Sequence, residues 1–486
     1  MSAPVAEPVR ARLFVEGRWT DGDGTAPVVD KFSGALIGRA EMASRGQVQS
    51  AVDGLVRAFE AVSLEPYERY RILTRTAELL DIHRDSLART IVAEAGFPLA
   101  DALNEVVRAA ETARLSAEEA KRLVGEMVPI HGAPGQAHRM AFTLRVPRGV
   151  VCAITSFNSP LNMVVHKVAP AIASGNTVVI KAPLTTPLSA ARFVELLIEA
   201  GLPPTHVALV QGPGAEIGSW LVEHAGIRFF TFTGSTAVGR WLQARVGLRP
   251  LVLELGSIAG TIVCADADLD RAAIRSAQSS VKRAGQVCTS TQRLFVHEDV
   301  FDAFATRLVQ HLEAMPVGDP TDPNTVIGPM ISEAEAVRAD AWVREAVAAG
   351  ARCLLGGTRA GSLFHPTVLA DVPADARVVC EEIFAPVLTL IRFRSLDRAI
   401  DAFNDTPFGL GAGIFTRDID AAFRAAQRLR VGVVHINDAS SSRVDLMPFG
   451  GTKDSGIGRE GPRYAMQEMT EERLVTVTLN QEPDRS

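Results

Sequence analysis

Between Gly149 and Ile436 the chain repeatedly switches hydrophobic period, and this switching restricts the fold more than any other feature. Apolar runs of strand length, Val150–Thr155, Thr177–Lys181, Val207–Gln211, Phe229–Thr233 and Leu251–Leu255, alternate with runs of helix character at Val164–Ala173, Ser189–Ala200, Ile217–His224 and Ala237–Arg245. Strands this uniformly apolar need cover on both faces, and a helix between each pair gives βαβ units and a parallel sheet. A second series follows. Its expected helices are Arg271–Lys282, Val300–Ala314, Glu333–Ala349, Leu396–Asn404 and Ile419–Leu429; its expected strands are Leu294–His297, Arg352–Leu355, Val387–Phe393, Ala412–Phe415 and Val433–Ile436. The expected fold class is therefore α/β, with ligands at the C-terminal ends of the parallel strands.

The flanks read differently. Ser44 to Leu123 is helical, with Val48, Val52, Leu55, Val56 and Phe59 on one face and Leu99, Leu103, Val106, Val107 and Ala110 on another; Gly96-Phe97-Pro98 separates two of the helices. Leu13–Trp19 reads as one strand. Gly125–Gly149 reads as an excursion that turns extended at Phe142–Val146, either pairing with another subunit or forming an ordinary surface hairpin. The tail Arg473–Leu479 alternates like a strand that needs a partner edge, which points to a homodimer or homotetramer.

Charge and cysteine usage narrow the class. The net charge is −6 and no basic run is long enough for nucleic acid or an anionic membrane surface. The five cysteines form no C-x-x-C pair, so neither a metal site nor a disulfide framework is expected. Met1–Arg12 lacks the apolar core of a signal peptide, and no apolar run approaches the roughly 20 residues of a membrane helix. A cytoplasmic protein is expected.

Several breaks between these elements carry chemistry-bearing residues. Cys288 lies in Arg283-Ala284-Gly285-Gln286-Val287-Cys288-Thr289-Ser290, among small and polar residues where a thiol can stay half-exposed and attack a carbonyl; a single cysteine is otherwise commonly a packing residue. Glu254 ends a strand, where an apolar setting would raise its pKa toward that of a general base, or where it simply faces solvent. Asn158, in Thr155-Ser156-Phe157-Asn158-Ser159-Pro160, can donate to an oxyanion or merely form a turn. Phe229–Gly239 is a strand, a small-residue turn and a helix start, able to hold a pyrophosphate on backbone N–H groups. Gly212-Pro213-Gly214 is a second such turn. Glu381-Glu382-Ile383-Phe384-Ala385-Pro386 and Pro448-Phe449-Gly450-Gly451 complete the set.

Taken together, in this order and with this interval between Glu254 and Cys288, the segments resemble the NAD(P)-dependent, acid-forming aldehyde dehydrogenases from about Phe14 to Val477. The resemblance implies that family's fold: a Rossmann-like cofactor domain (1–124 and 147–254), an α/β catalytic domain (255–467) and a small β oligomerisation arm (125–146 and 468–486). It implies oxidation of an aldehyde to a carboxylic acid through a cysteine thiohemiacetal and thioester, with NAD or NADP as cofactor. Cys288 matches the nucleophile, Glu254 the general base and Asn158 the oxyanion donor. Lys181, Gly212, Phe232, Gly234, Ser235, Val238, Glu382 and Phe384 match cofactor-binding positions. Arg108, His166, Arg443 and Phe449 fall at substrate-pocket positions, and an arginine fork there suits a carboxylate, phosphate or sulfonate.

Departures from the family pattern sharpen the expectation. Lys181-Ala182-Pro183-Leu184 lacks the glutamate that holds the adenosine ribose hydroxyls and repels a 2′-phosphate, so NADP is expected to be accepted. Ser257 and Ala385 stand where glycine is usual. Val287 replaces the arginine that phosphate-recognising members place before the nucleophile, which favours a small polar or singly anionic aldehyde, lactaldehyde-like or a semialdehyde, over a phosphorylated or phosphonate one. Glu254 argues against a coenzyme A-acylating relative, and the full residue set against a non-catalytic scaffold.

Overall fold

The computed structural model describes residues 9–479; residues 1–8, most of the Met1–Arg12 segment, and residues 480–486, the last of those expected in the oligomerisation arm, lie outside the described residues. Two parallel sheets organise the chain, and both follow from runs of residues buried on each face. In the first, β1 (Val150–Ile154), β2 (Thr177–Lys181), β3 (Val207–Val210), β4 (Ile227–Thr233) and β5 (Leu251–Glu254) pair in parallel in the order β5-β4-β1-β2-β3. The chain steps outward from β1 in one direction and returns to build β4 and β5 on the other side. The crevice between the C-terminal ends of β1 and β4 is therefore a topological switch point.

The second sheet contains β6 (Gly260–Val263), β7 (Arg293–His297), β8 (Thr367–Ala370), β9 (Val387–Phe393), β10 (Gly411–Phe415) and β11 (Val433–Ile436), parallel in the order β8-β9-β7-β6-β10-β11, with Arg352–Leu355 antiparallel on the β8 edge. Sequence reading contains neither β6 nor β8. Both are four residues long and wholly buried, so neither alternates, and β6 opens on a glycine. That glycine is required: a Cβ at Gly260 would lie 2.9 Å from the Arg293 carbonyl oxygen and 2.8 Å from the Phe403 ring.

Four helices frame the site: α1 (Leu99–Ala120), α2 (Asn162–Ala173), α3 (Thr236–Gln243) and α4 (Leu269–Val281). Every residue of α2 is buried, which is why its sequence lacks an amphipathic stripe. The strand expected over Leu13–Trp19 is instead a hairpin, Leu13–Val15 and Arg18–Thr20, turned by Glu16 and Gly17 at φ 49° and 76°. The excursion after Gly125 and the tail meet in one antiparallel sheet, where Arg139–Pro147 pairs with Thr470–Thr478 along its whole length and Met127–Val128 adds a short third strand.

Candidate active site

The C-terminal ends of the first sheet's strands and the loops that lead into β7 and β9 of the second face a common cavity of about 860 Å³, lined among others by Asn158, Lys181, Glu254, Cys288, Glu382 and Arg443. Cys288 follows α4 through a sharply bent loop. Arg283, Ala284 and Gly285 are successive left-handed residues, at φ 53°, 54° and 72°, a conformation that costs each non-glycine residue about 1–2 kcal/mol. At Gly285 the reason is contact: a Cβ would fall 2.2 Å from the Ala385 carbonyl. The nucleophile loop is thus pressed onto the loop carrying Glu382 and Phe384, and Phe384 is itself at φ 51°. Gln292 secures that second loop, its Nε2 donating to the Val378 and Glu381 carbonyls at 3.0 and 2.7 Å and its Oε1 accepting from Ile383 N–H at 3.2 Å.

Cys288 is half-buried. Burial, followed by the negative charge of Glu254, pushes its thiol up to about 12, with Glu382 and Glu460 acting in the same direction and Arg443 opposing them. The Cys288 main-chain N–H donates to no acceptor among the described residues. Asn158 Nδ2 spends one hydrogen on the Gln286 carbonyl at 2.9 Å, while its Oδ1 accepts from Ser156 Oγ at 2.7 Å. Its second amide hydrogen is left over, on the cavity wall it shares with Cys288.

Glu254, at the end of β5, is 3 % exposed, and neither carboxylate oxygen has a hydrogen-bond partner. Burial raises its pKa well above the ordinary carboxylate range, and the nearby charge of Glu460 raises it further. Glu460 goes the other way. Burial alone would raise it, but Lys167, Arg443 and His166 outweigh burial and hold it low. Lys167, fully buried on α2, donates to Glu460 Oε1 at 2.7 Å and to Thr231 Oγ1 at 3.0 Å. Two neighbouring carboxyls driven apart in this way are suited to different roles.

At the other end of the cavity the donors and shapes fit a dinucleotide. Lys181 ends β2, 8 % exposed, with no hydrogen-bond partner for its ammonium among the described residues, and burial lowers it to about 8. Phe232, Gly234, Ser235 and Val238 line the wall where β4 runs into α3, whose first turn is capped by Ser235 Oγ accepting from Val238 N–H at 3.4 Å. Glu382 accepts from Ser257 N–H at 2.9 Å, and burial raises it to about 7. Since that bond uses the main chain, serine serves at 257 as glycine would. Ala385 has no positive φ, so its position needs no glycine. Gly212 does not line the cavity; a Cβ there would meet the Ile217 side chain at 2.8 Å, and the wall is formed by Gly214 and Ala215.

The substrate end corrects two expectations. Arg108 faces the cavity, but its fork is already taken by Asp445, at 3.1 and 2.6 Å. His166 does not line the cavity: it is buried behind that pair, its Nε2 2.8 Å from Asp445 Oδ1. Asn162 and Met163 at the start of α2 line the cavity, whereas His166, the fifth residue of that helix, is turned toward Thr112 and Asp445. Arg443 does face the cavity. Its guanidinium lies 3.8 Å over the Phe449 ring and 3.5 Å from Glu460 Oε2, and its Nε and Nη2 are buried without hydrogen-bond partners.

The profile of the aldehyde dehydrogenase family matches residues 19–475. The chain belongs to the aldehyde dehydrogenase family. It is 44% identical over 467 residues, 96% of this chain and 98% of the relative, to a 3-sulfolactaldehyde dehydrogenase of Priestia aryabhattai. It is 37% identical over 478 residues, 97% and 98% of the two chains, to the NADP(+)-dependent succinate-semialdehyde dehydrogenase of Escherichia coli. Among solved structures, aldehyde dehydrogenase 21 of Physcomitrella patens in complex with the reaction product succinate superimposes with a TM-score of 0.94 at 35% identity, covering 97% and 99% of the chains. The NADP-dependent glyceraldehyde-3-phosphate dehydrogenase of Bacillus halodurans complexed with NADP gives the same score and identity, over 97% and 100%. This aldehyde dehydrogenase is thus an NAD(P)-dependent oxidoreductase acting on an aldehyde, with the α/β fold of its family.

Sequence reading gave no role to four side chains of this aldehyde dehydrogenase found at or behind the cavity: Lys167, Thr231 and Glu460, joined by hydrogen bonds, and Lys282 on the cavity wall. Lys167 was detectable as a lone ammonium in the otherwise apolar run Met163–Ala173, since such a group must find a buried partner. Glu460 was not, because only the bridge between Phe449 and Glu460 brings it to the site. Lys282 lines the cavity with no hydrogen-bond or ion-pair partner among the described residues; burial lowers its pKa, and Arg283 and Arg108 lower it further.

Proposed function

We propose that this enzyme oxidises a small anionic aldehyde, a carboxylate- or sulfonate-bearing semialdehyde or hydroxyaldehyde, to the acid, with Cys288 as nucleophile, Asn158 as oxyanion donor and Glu254 as general base. The observation that carries the substrate class is Arg443: a largely buried side chain whose Nε and Nη2 are buried without hydrogen-bond partners, in the same cavity wall as Cys288 and Glu254. A buried cation without its full hydrogen-bond complement is costly unless a ligand supplies the acceptors. Lys282 adds a second cation on the cavity wall, without an ion-pair partner among the described residues. The relatives' substrates, sulfolactaldehyde and succinate semialdehyde, are small and bear one anion, which supports the same class. A phosphate dianion is disfavoured by the Glu460 carboxylate at 3.5 Å from Arg443 and by Val287 before the nucleophile.

The chain's own groups supply the following. Cys288 gives up its thiol proton to water in the cavity as its Sγ adds to the aldehyde carbonyl, and the resulting oxyanion is met by the spare Asn158 amide hydrogen and the free Cys288 N–H; one such donor is worth on the order of 3 kcal/mol. NAD(P), held by Lys181, Ser235 and Glu382, supplies the hydride acceptor when bound. Glu254, desolvated and without a hydrogen-bond partner, takes the proton of the water that attacks the thioester carbon, and the acid leaves as the Cys288 thiolate departs. Because Glu254 provides this base, water is the acyl acceptor.

Arg443→Ala is expected to raise KM for an anionic aldehyde by ~30-fold or more, the cost of losing a charged hydrogen-bond partner, and to leave KM for an uncharged aliphatic aldehyde within about threefold, since van der Waals contacts alone are lost. Steady-state kinetics on both substrates check this, and equal changes would reject the assignment.

The adenosine-ribose end supports dual cofactor use. No carboxylate lines the cavity near Lys181 and Pro183, where acidic lining residues are confined to Glu254, Glu335, Glu382 and Glu460. The kcat/KM values for NAD and NADP should lie within about a thousandfold of each other, that is within about 4 kcal/mol; a larger preference for NAD would contradict this. Assembly through the arm is supported by exposed Met140, Leu144, Leu474 and Val477 on its two long strands, and a cytoplasmic, reducing location by five free cysteines.

A further inference from the structure

We propose that Arg283 is a positioning residue for the oxyanion donor, locking Asn158 to the loop that carries Cys288. Its guanidinium is buried, 6 % exposed, and faces three structures at once. Nη1 donates to the Asn158 main-chain oxygen at 2.5 Å. Nη2 lies 3.0 Å from Glu105 Oε2. The guanidinium carbon sits 4.6 Å over the buried Phe97 ring.

These contacts close a ring. Asn158 Nδ2 donates to the Gln286 carbonyl at 2.9 Å. Gln286 returns to Arg283, its N–H at 3.1 Å and its Nε2 at 3.0 Å both donating to the Arg283 carbonyl. Asn158 is therefore gripped by its main chain through Arg283 and by its side chain through Gln286, two residues of the nucleophile loop. Displacing either loop displaces both reacting groups together, so the separation between the Cys288 sulfur and the Asn158 amide is preserved. The ring is anchored outside the loop by Glu105 on α1. Its Oε1 accepts from Leu161 and Asn162 N–H at 3.0 and 3.2 Å, capping the first turn of α2, where a carboxylate is also favoured by the helix dipole. One carboxylate thus ties the start of α2, just beyond Asn158, to the guanidinium that holds Asn158.

Local conformation gives a further sign. Arg283 is at φ 53°, a region a long side chain adopts only under constraint. Lysine could pair with Glu105 or reach Asn158, but its single ammonium lacks the planar fork that serves both directions.

The inference rests on the oxyanion role of Asn158 given above, and a double-mutant cycle separates the two. The variants are Asn158→Ala, Arg283→Met and both together, read by kcat and KM with the anionic aldehyde and NADP. Asn158→Ala should lower kcat by ~10²–10³-fold. Arg283→Met should lower kcat by ~10–100-fold with KM changed less than about threefold, as expected for misplacing a group that acts in the transition state. The double variant should match Asn158→Ala to within about threefold, because a misplaced donor that is absent has no further effect. Multiplicative losses, or an unchanged kcat in Arg283→Met, overturn the positioning role while leaving Asn158 in place; an unchanged kcat in Asn158→Ala overturns both. Should Arg283→Met fail to fold, the cycle is run with Arg283→Lys, for which a partial kcat loss that vanishes in the Asn158→Ala background is the supporting result and a multiplicative loss the opposing one.

Discussion

Cys288→Ser is expected to lower kcat by on the order of 10⁴-fold or more, the scale at which loss of an activated nucleophile removes covalent catalysis. The setting of Cys288 makes serine a poor substitute. The site already pushes the thiol up to about 12 through burial and then Glu254. A hydroxyl starts from a much higher value and would have to ionise against the same desolvation and the same carboxylates. Cofactor affinity should stay within a few-fold, because Lys181, Ser235 and Glu382 belong to other segments. The check is single-turnover kinetics with a fluorescence titration of NADPH. Oxidation at near wild-type speed by the serine variant would remove the thioester from the account.

Glu254→Gln should separate the two halves of the reaction. Thioester formation requires Cys288 and Asn158, whereas release requires a base. The variant should therefore give a burst of NADPH near one equivalent per active site, followed by steady turnover lowered ~10²–10⁴-fold, the usual contribution of general base catalysis. Glutamine is close in shape to the carboxyl it replaces and leaves no cavity beside Gly450, whose Cβ position lies 3.0 Å from Glu254 Oε1. The pH dependence carries a further sign. Burial and then Glu460 raise Glu254, so its basic form is populated only as pH climbs through that raised value, and the acid limb of kcat should lie well above the ordinary carboxylate range. Replacing Glu460 by glutamine removes the repelling charge, lowers the pKa of Glu254 and moves that limb to lower pH. A limb that moves up, or does not move, would contradict the coupling.

The parts legible in the sequence are those governed by local rules. Strands such as Thr177–Lys181, Val387–Phe393 and Val433–Ile436 coincide with their expected bounds, because each is an apolar run closed by polar or turn-forming residues. Short buried strands without alternation, β6 and β8, carry no such signature. The chemistry divides in the same way. Cys288, Glu254 and Asn158 stood out as candidates at the ends of elements and took their roles from the family resemblance, and the structure brings all three to one cavity. Arg443 likewise faces that cavity, as the resemblance implied. His166 was misplaced because spacing along the chain fixes neither which way a fully buried helix turns nor that Asp445 claims the ring. Lys167, Glu460 and the Arg283–Glu105 pair were out of reach for another reason: their meaning lies in partners between 178 and 293 residues away, and only packing creates those.

Trapping the acyl enzyme tests the central claim most directly. Glu254→Gln is mixed with NADP and an anionic aldehyde that the wild type oxidises, quenched in acid after the burst, and measured as intact protein and as peptides. The account predicts one acyl group per chain, carried on the peptide containing Cys288 and removed by hydroxylamine. An unmodified chain after a full burst of NADPH, or an acyl group on any other residue, would contradict it.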